Sequence, residues 1–325
     1  MLLRAHWTPE YLEIDKNVKF LGAVELGNTW REPIFVDNDN GLDGAFNGRS
    51  TSKPYLNLAK GLTEAAAFDV IYIKPKAPEA GTPPYLGGDP GPITPATAVN
   101  WVIPYTKHGV QIVGCGVGRG AAGIQQTLLK GHAGVTAYPV LDIRAPYCNI
   151  ENLGFKRGGS TSGLVRSSFL NSSAYQAFAT TFYKLWLRLA DAAGGIVTDS
   201  AWYDKIEKCI FSSCARAILI GASNSVPVGL SIEECDFDAL VAEVTADIYT
   251  TGAVTRITMK KLNFNHAVPS GGAPNRYVSV AAASTGLISN CFTGAVDPTI
   301  ADNMTLNGIL YSHIWGDGVG PFVDA

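Results

Sequence analysis

The second half of the chain repeats one six-residue phrase. Residues 150–155 read IENLGF, 206–211 IEKCIF, 232–237 IEECDF and 259–264 MKKLNF. The first place is apolar, the second and third are polar, the fourth is Leu or Cys, and the sixth is Phe. Self-similarity of this kind restricts a chain to architectures that stack one unit on the next. The starts lie 56, 26 and 27 residues apart, so the first gap spans two periods and a copy is missing near 178–190. A fifth copy, LISNCF, starts at Leu287 if its Phe is matched and at Ile288 if its Asn is matched.

In the gap, FYKLWLRLA alternates Tyr183, Leu185, Leu187 and Leu189 with Lys184, Trp186 and Arg188, which is a strand period. Tyr175, Phe178, Phe182, Leu185 and Leu189 also make a helical stripe; the strand is the favoured reading. A unit of 26–29 residues with short β runs between Gly and Asn suits one coil of a parallel β-helix. In such a coil the first, fourth and sixth places point inward, the second points outward, and the polar third place turns a corner. Residues 70–313 then make about nine turns, with Ile150, Ile206, Ile232 and Met259 in one interior column. Cys209 and Cys235 stack as small buried hydrophobes about 4.8 Å apart.

These phrases resemble the single-stranded right-handed β-helix proteins of the pectin-lyase-like superfamily. The first half is similar too: FVDNDNGLDGAFNGRSTSKPYLNLAKGL followed by VIYIKP matches the opening of many such proteins, phage tailspikes and other virion proteins among them. There an Asp/Asn/Gly turn leads to a helix with Pro in its first turn and then to the first coil strand. The expected fold is all-β, a right-handed parallel β-helix over 34–313 with a capping helix at about 53–66 and extended terminal segments at 1–33 and 314–325. Ser52 is the expected cap, Pro54 lies in the first turn, and Tyr55, Leu58, Ala59 and Leu62 share a face.

Two motifs tempt other readings. IFVDNDNGLDG, residues 34–44, offers Asp37, Asp39 and Asp43 as oxygen donors, but in an EF-hand register the sixth place is Leu42 rather than Gly and the twelfth is Gly48 rather than Glu. It reads as the strand Ile34 to Val36 breaking into a turn. VQIVGCGVGRG leads a strand into Gly114, Gly116 and Gly118, yet the third fingerprint glycine falls on Arg119 and no ribose-binding acid follows. Here a strand ends in a Gly-rich loop, and a second strand group, VLDIRA, follows at 140–145. Residues 77–98, rich in Pro and Gly, are an excursion from the coil.

A charge of −3 gives no reason to expect nucleic acid, no apolar run reaches membrane-span length, and MLLRAHWTPEYLEID acquires charge too early for a signal peptide. The expected location is a virion assembled in host cytoplasm. The six cysteines form no CxxC pair and the five histidines no HExxH or His–Cys cluster, so no metal and no cofactor are expected.

For chemistry, the outward second place holds Glu151, Glu207, Glu233 and Lys260. Glu207 and Glu233, one coil apart, are the conditional catalytic candidates, since about 5 Å suits the nucleophile and acid of a retaining glycosidase. The simpler reading is an exposed ion-pair ladder in which Lys260 follows Glu233. No lyase-like Arg or calcium cluster recurs at matching places. The resemblance implies a phage virion structural protein: a spike, decoration or tail component, a homotrimer that meets other virion proteins through terminal segments carrying Trp7, Trp30, Trp315 and Phe322, with a host-surface glycan as a further partner. The alternative is a polysaccharide depolymerase on the same fold.

Overall fold

The computed structural model describes residues 33–76, 92–116, 127–134, 139–158, 163–172, 174–190, 193–238, 246–265, 276–293, 304–305 and 309–316. Within them the chain winds as a coil of short parallel strands, arranged as a 17-stranded and a 9-stranded sheet. One backbone column carries the first place of every copy: Ile34, Ile71, Ile112, Ile150, Phe182, Ile206, Ile232, Met259, Ile288 and Tyr311, paired in that order. From Ile34 through Ile232 each member has no exposed surface, and Met259 and Ile288 have none either. The predicted stacking of residues 150, 206, 232 and 259 holds, as does the count of nine rungs from Ile71 onward.

The coil lengths depart from the expected 26–29 residues. Successive members of the column are 37, 41, 38, 32, 24, 26, 27, 29 and 23 residues apart. The rung itself costs few residues, and the loops absorb the rest. The missing copy is FYKLWL starting at Phe182, with Phe182, Leu185 and Leu187 buried. Tyr183 lies at the outward second place, level with Glu151 and Glu207, and Leu189 is a corner residue at φ 55°. The fifth copy starts at Ile288: Asn290 takes the corner, Cys291 the fourth place, and Phe292 falls on the outward fifth place and is exposed.

Two further columns fill the core. The fourth place is Leu153, Leu185, Cys209, Cys235, Leu262 and Cys291, all buried; Cys209 and Cys235 are free thiols with no exposed surface. Burial, and then its neighbour Cys209, push the Cys235 thiol well above its ordinary pKa, so Cys235 behaves as an inert hydrophobe. The sixth place stacks Phe155, Leu187, Phe211, Phe237 and Phe264 in register. Rings of Phe211 and Phe237 lie 5.1 Å apart at 8°, and those of Phe237 and Phe264 4.7 Å apart at 18°.

The opening loop is a turn. Asp37 Oδ1 accepts the backbone N–H groups of Asp39 (3.0 Å) and Asn40 (3.1 Å), and Oδ2 accepts Lys74 Nζ at 2.6 Å. Burial raises the carboxyl's pKa, but Lys74 and the amides outweigh it and leave it below its ordinary value. The helix that follows is shorter than predicted, Leu58–Glu64, with Asn57 rather than Ser52 before its first turn. Residues 53–56 are drawn into extended pairing instead: Tyr55 N–H donates to Phe35 O (2.8 Å) and Asp37 N–H to Tyr55 O (2.9 Å). An edge strand competing for the same backbone groups defeats the Pro54 start signal. Leu58, Gly61 and Leu62 face the core, and Ala59 is exposed.

The helix covers the first end of the coil. A Cβ on Gly61 would sit 3.1 Å from Val36 Cγ2, so glycine lets the helix lie close on that strand. Lys107 Nζ donates to the terminal carbonyls of Leu62, of Thr63 (2.6 Å) and of Ala65 (2.7 Å), where a cation also meets the negative end of the helix dipole. Lys107→Met should destabilise this end by about 1–2 kcal/mol. Hydrogen exchange should show faster opening at 58–66 and no change in the strands near residue 232.

The strand predicted in VLDIRA is Leu141–Ile143, in the second sheet. Of the proposed excursion, 77–91 lies outside the described residues, but Pro92–Ile93 is a coil strand paired with Thr127–Lys130. Of the Gly-rich loop, 117–126 lies outside them. Trp7, Trp30 and Phe322 do too, and Trp315 belongs to the last coil strand, Ile309–Gly316.

Candidate functional site

The third place of each copy is a sharp corner between two strands. Asn152, Lys184, Lys208, Glu234, Lys261 and Asn290 all have φ of 52–54°. A non-glycine residue there costs on the order of 1 kcal/mol. Each corner N–H donates along the coil, as from Lys208 to Glu233 O and from Glu234 to Lys260 O, both 3.0 Å, which offsets that cost. The corner thereby lines up long polar side chains beside the outward second place.

Glu207 and Glu233 are register partners on adjacent strands, as the repeat predicted. Their partners differ. Glu207 is held by Lys205 Nζ at 2.7 Å and by the corner Lys208 at 3.6 Å; Lys208 also reaches Glu234 at 3.7 Å, and Lys261 pairs with Glu234 at 2.8 Å. Glu233 accepts the Ser231 hydroxyl at 2.6 Å, and the expected Glu233–Lys260 pair is not formed. Lys205 and Lys208 meet Glu207 within its own rung, and the corner lysines Lys208 and Lys261 reach Glu234 from the rungs on either side. The hydrogen bond from Lys205 holds the Glu207 carboxyl below its ordinary pKa, and Lys261 does the same to Glu234. A retaining pair needs one acid raised and kept protonated. Glu207 is moved the opposite way.

A second corner, three residues before each first place, was not legible in the repeat. Its members are Phe68, Gly109, Tyr147, Ala179, Tyr203, Gly229 and Arg256, all with φ of 51–71°. Phe68, Tyr147 and Tyr203 are more than half exposed, and Trp202 beside Tyr203 is 38% exposed. The residue three before each copy varies among Tyr, Phe, Gly, Ala and Arg, so no shared residue type marks the column. The place after it points inward and carries Asp204, wholly buried, whose Oδ1 accepts the Thr180 N–H at 2.8 Å. Burial pushes the Asp204 carboxyl up to about 7, against hydrogen bonds from Thr180 and Ser167. Among the described residues, no cluster of three His, Cys, Asp or Glu side chains is placed to hold a metal ion, and no helix is long and apolar enough to cross a membrane.

The fold is the right-handed parallel β-helix. Solved structures similar to this chain include ORF18 of Geobacillus virus E2, at 13% identity and TM-score 0.54 over 97% of this chain and 64% of that one. The pectin methylesterase from carrot is similar at 12% identity and TM-score 0.52 over 90% and 85% of the two chains. Pectate lyase Pel9A is similar at 8% and 0.50 over 90% and 79%. The chain thus spans 64% of the length of the phage protein. No protein-family model and no curated protein matches the sequence. The shared property is the fold, common to a phage protein and to proteins named for acting on pectin and pectate.

Proposed function

We propose that this chain is a non-catalytic β-helical component of a bacteriophage particle, a surface spike, decoration or tail element. It assembles as a homotrimer and meets other particle proteins through its terminal segments. The observation that carries this reading is the outer face of the coil, where of the two acids best placed for glycan hydrolysis Glu207 is held in ion pairs with Lys205 and Lys208 and Glu233 accepts the Ser231 hydroxyl. The likeness to the phage protein over 97% of this chain supports it.

The test incubates the purified oligomer with capsular and cell-wall polysaccharides of candidate hosts and follows new reducing ends and chain length. No cleavage is expected, and Glu207→Gln and Glu233→Gln should shift stability by no more than about 0.5 kcal/mol each. Cleavage that disappears in the Glu207→Gln protein would establish a depolymerase instead. Antibody labelling that finds the protein absent from purified particles would also overturn the reading.

A further inference from the structure

We infer that the second corner is the surface through which copies of this chain meet, three such corners lining one threefold axis. The inference rests on the homotrimer of the proposed function and adds the face that builds it. Among the described residues eleven large apolar side chains are exposed, and six of them, Phe68, Tyr105, Tyr147, Trp202, Tyr203 and Val226, stand at this corner or within four residues before it. Single exposed apolar residues are ordinary, whereas a contiguous row of them marks an interaction surface.

The rings are seated in a fixed way. Along the corner Phe68, Tyr147 and Tyr203 alternate with Gly109, Ala179 and Gly229. Each glycine lets the ring of the preceding coil lie on its backbone: a Cβ on Gly229 would be 2.6 Å from Tyr203 Cδ1, and one on Gly109 would collide with the Phe68 ring. Such a ring covers two rungs, and 54% of Phe68 and 56% of Tyr203 still face water. Tyr147 packs edge-on against Phe178 at 4.9 Å, and Phe169, on the strand Val165–Ser172, stacks on Trp202 at 5.1 Å. Exposed rings therefore recur at every second rung, about 9.6 Å, along a straight band about 29 Å long from Phe68 to Arg256.

Period and charge select a second copy as the occupant. An extended strand repeats its same-face side chains every 6–7 Å or so, out of step with rings about 9.6 Å apart. Another coil of this sequence carries the same rings at the same spacing. In a homotrimer the same corner of three copies meets only on the threefold axis, so the coils run parallel and each ring stands level with its own counterparts. Like surface then faces like, an arrangement that exposed charge would oppose. Arg256 is the one charged residue among the seven corners, and its guanidinium is drawn onto Tyr203, 5.9 Å from the ring centroid, with Nη2 donating to the hydroxyl at 3.2 Å. Aromatic residues and Arg with few other charges are the composition of a protein–protein interface.

The test measures the sedimentation mass of the full chain at roughly micromolar concentration. Wild type should sediment as a trimer, and so should Leu310→Asp, a variant at a side chain 74% exposed on the last coil strand. The double variant Tyr147→Asp, Tyr203→Asp should sediment as a monomer, at about one third of that mass, with unchanged circular dichroism. A second measurement guards against a double variant that fails to fold. With the exposed Cys115 replaced by Ser, a short bismaleimide should join copies carrying Tyr203→Cys and leave copies carrying Lys260→Cys, at an exposed place on the outer face, unjoined. Trimers that persist in a folded double variant, or equal cross-linking at 203 and 260, overturn the corner and leave the homotrimer standing. A monomeric wild type overturns both. Neither outcome bears on glycan cleavage or on presence in the particle, so the remainder of the proposed function fails separately.

Discussion

Phe237→Ala should lower the stability of the central coils by about 3–5 kcal/mol. The side chain has no exposed surface and sits between Phe211 and Phe264, and the stack continues from Phe264 to Tyr277 at 4.9 Å. Removing the middle ring leaves a cavity that its neighbours cannot close by moving along the axis. Their spacing is set by the backbone bonds between rungs, such as Asp236 N–H to Cys209 O and Asn263 N–H to Cys235 O, both 2.9 Å. Cys235→Ala, two residues away, removes far less volume and should be mild. Because stacked repeats open locally, the measurement is hydrogen exchange at 206–264 alongside urea unfolding. A loss under about 1 kcal/mol would show that the column relaxes and that the aromatic stack is not a rigid spine.

Asp204→Asn should stabilise the protein at pH 8 and remove a pH dependence that wild type carries. The wild-type carboxyl has its folded pKa raised to about 7 by burial, whereas in the unfolded chain it titrates near 3.9. Below that range both states are protonated and no slope arises. Between about 4 and 7 the folded chain keeps a proton that the unfolded chain has lost, so stability falls as pH rises; above about 7 both are ionised and the loss levels off, on the order of 4 kcal/mol. Asparagine keeps an oxygen for the Thr180 N–H and replaces the second carboxylate oxygen, which has no partner, with an amide that can donate to nearby hydroxyls. Urea unfolding at pH 4, 6 and 8 reads the difference between the two proteins. That difference cancels groups such as Asp37 and Glu207, whose lowered pKa values act in the opposite sense, their contribution being lost as pH falls below the ordinary carboxylate range. Parallel curves for the two proteins would show that Asp204 titrates normally.

What the sequence could carry of the candidate site was its register. Glu207 and Glu233 are adjacent because Ile206 and Ile232 are, and the interior column fixes both. Which partner each acid takes was not readable, because the sequence offers several: Glu207 is held within its own rung by Lys205 and Lys208, Ser231 rather than Lys260 takes Glu233, and Lys208 and Lys261 reach across a rung to Glu234. The Tyr203–Arg256 pair is separated by 53 residues and two coils, and no local pattern announces it.

The interior of this protein was determined by its sequence alone. Every coil makes the same demand at places one, four and six: an apolar side chain of bounded volume, out of water. Ile150, Cys209, Cys235 and Phe237 could therefore be placed inward before any contact was known. The tertiary structure decided what loop length and competing partners decide. It set the 32- and 24-residue coils on either side of Phe182, moved Phe292 to the outside, and shortened the helix when Tyr55 paired with Phe35 and Asp37. It also decided the ion-pair partners and the aromatic corner. The physical reason is that burial is a demand each place makes by itself, whereas an outward side chain takes its role from whatever the next coil sets one rung away, and intervening loops of unequal length hide that neighbour from the linear sequence.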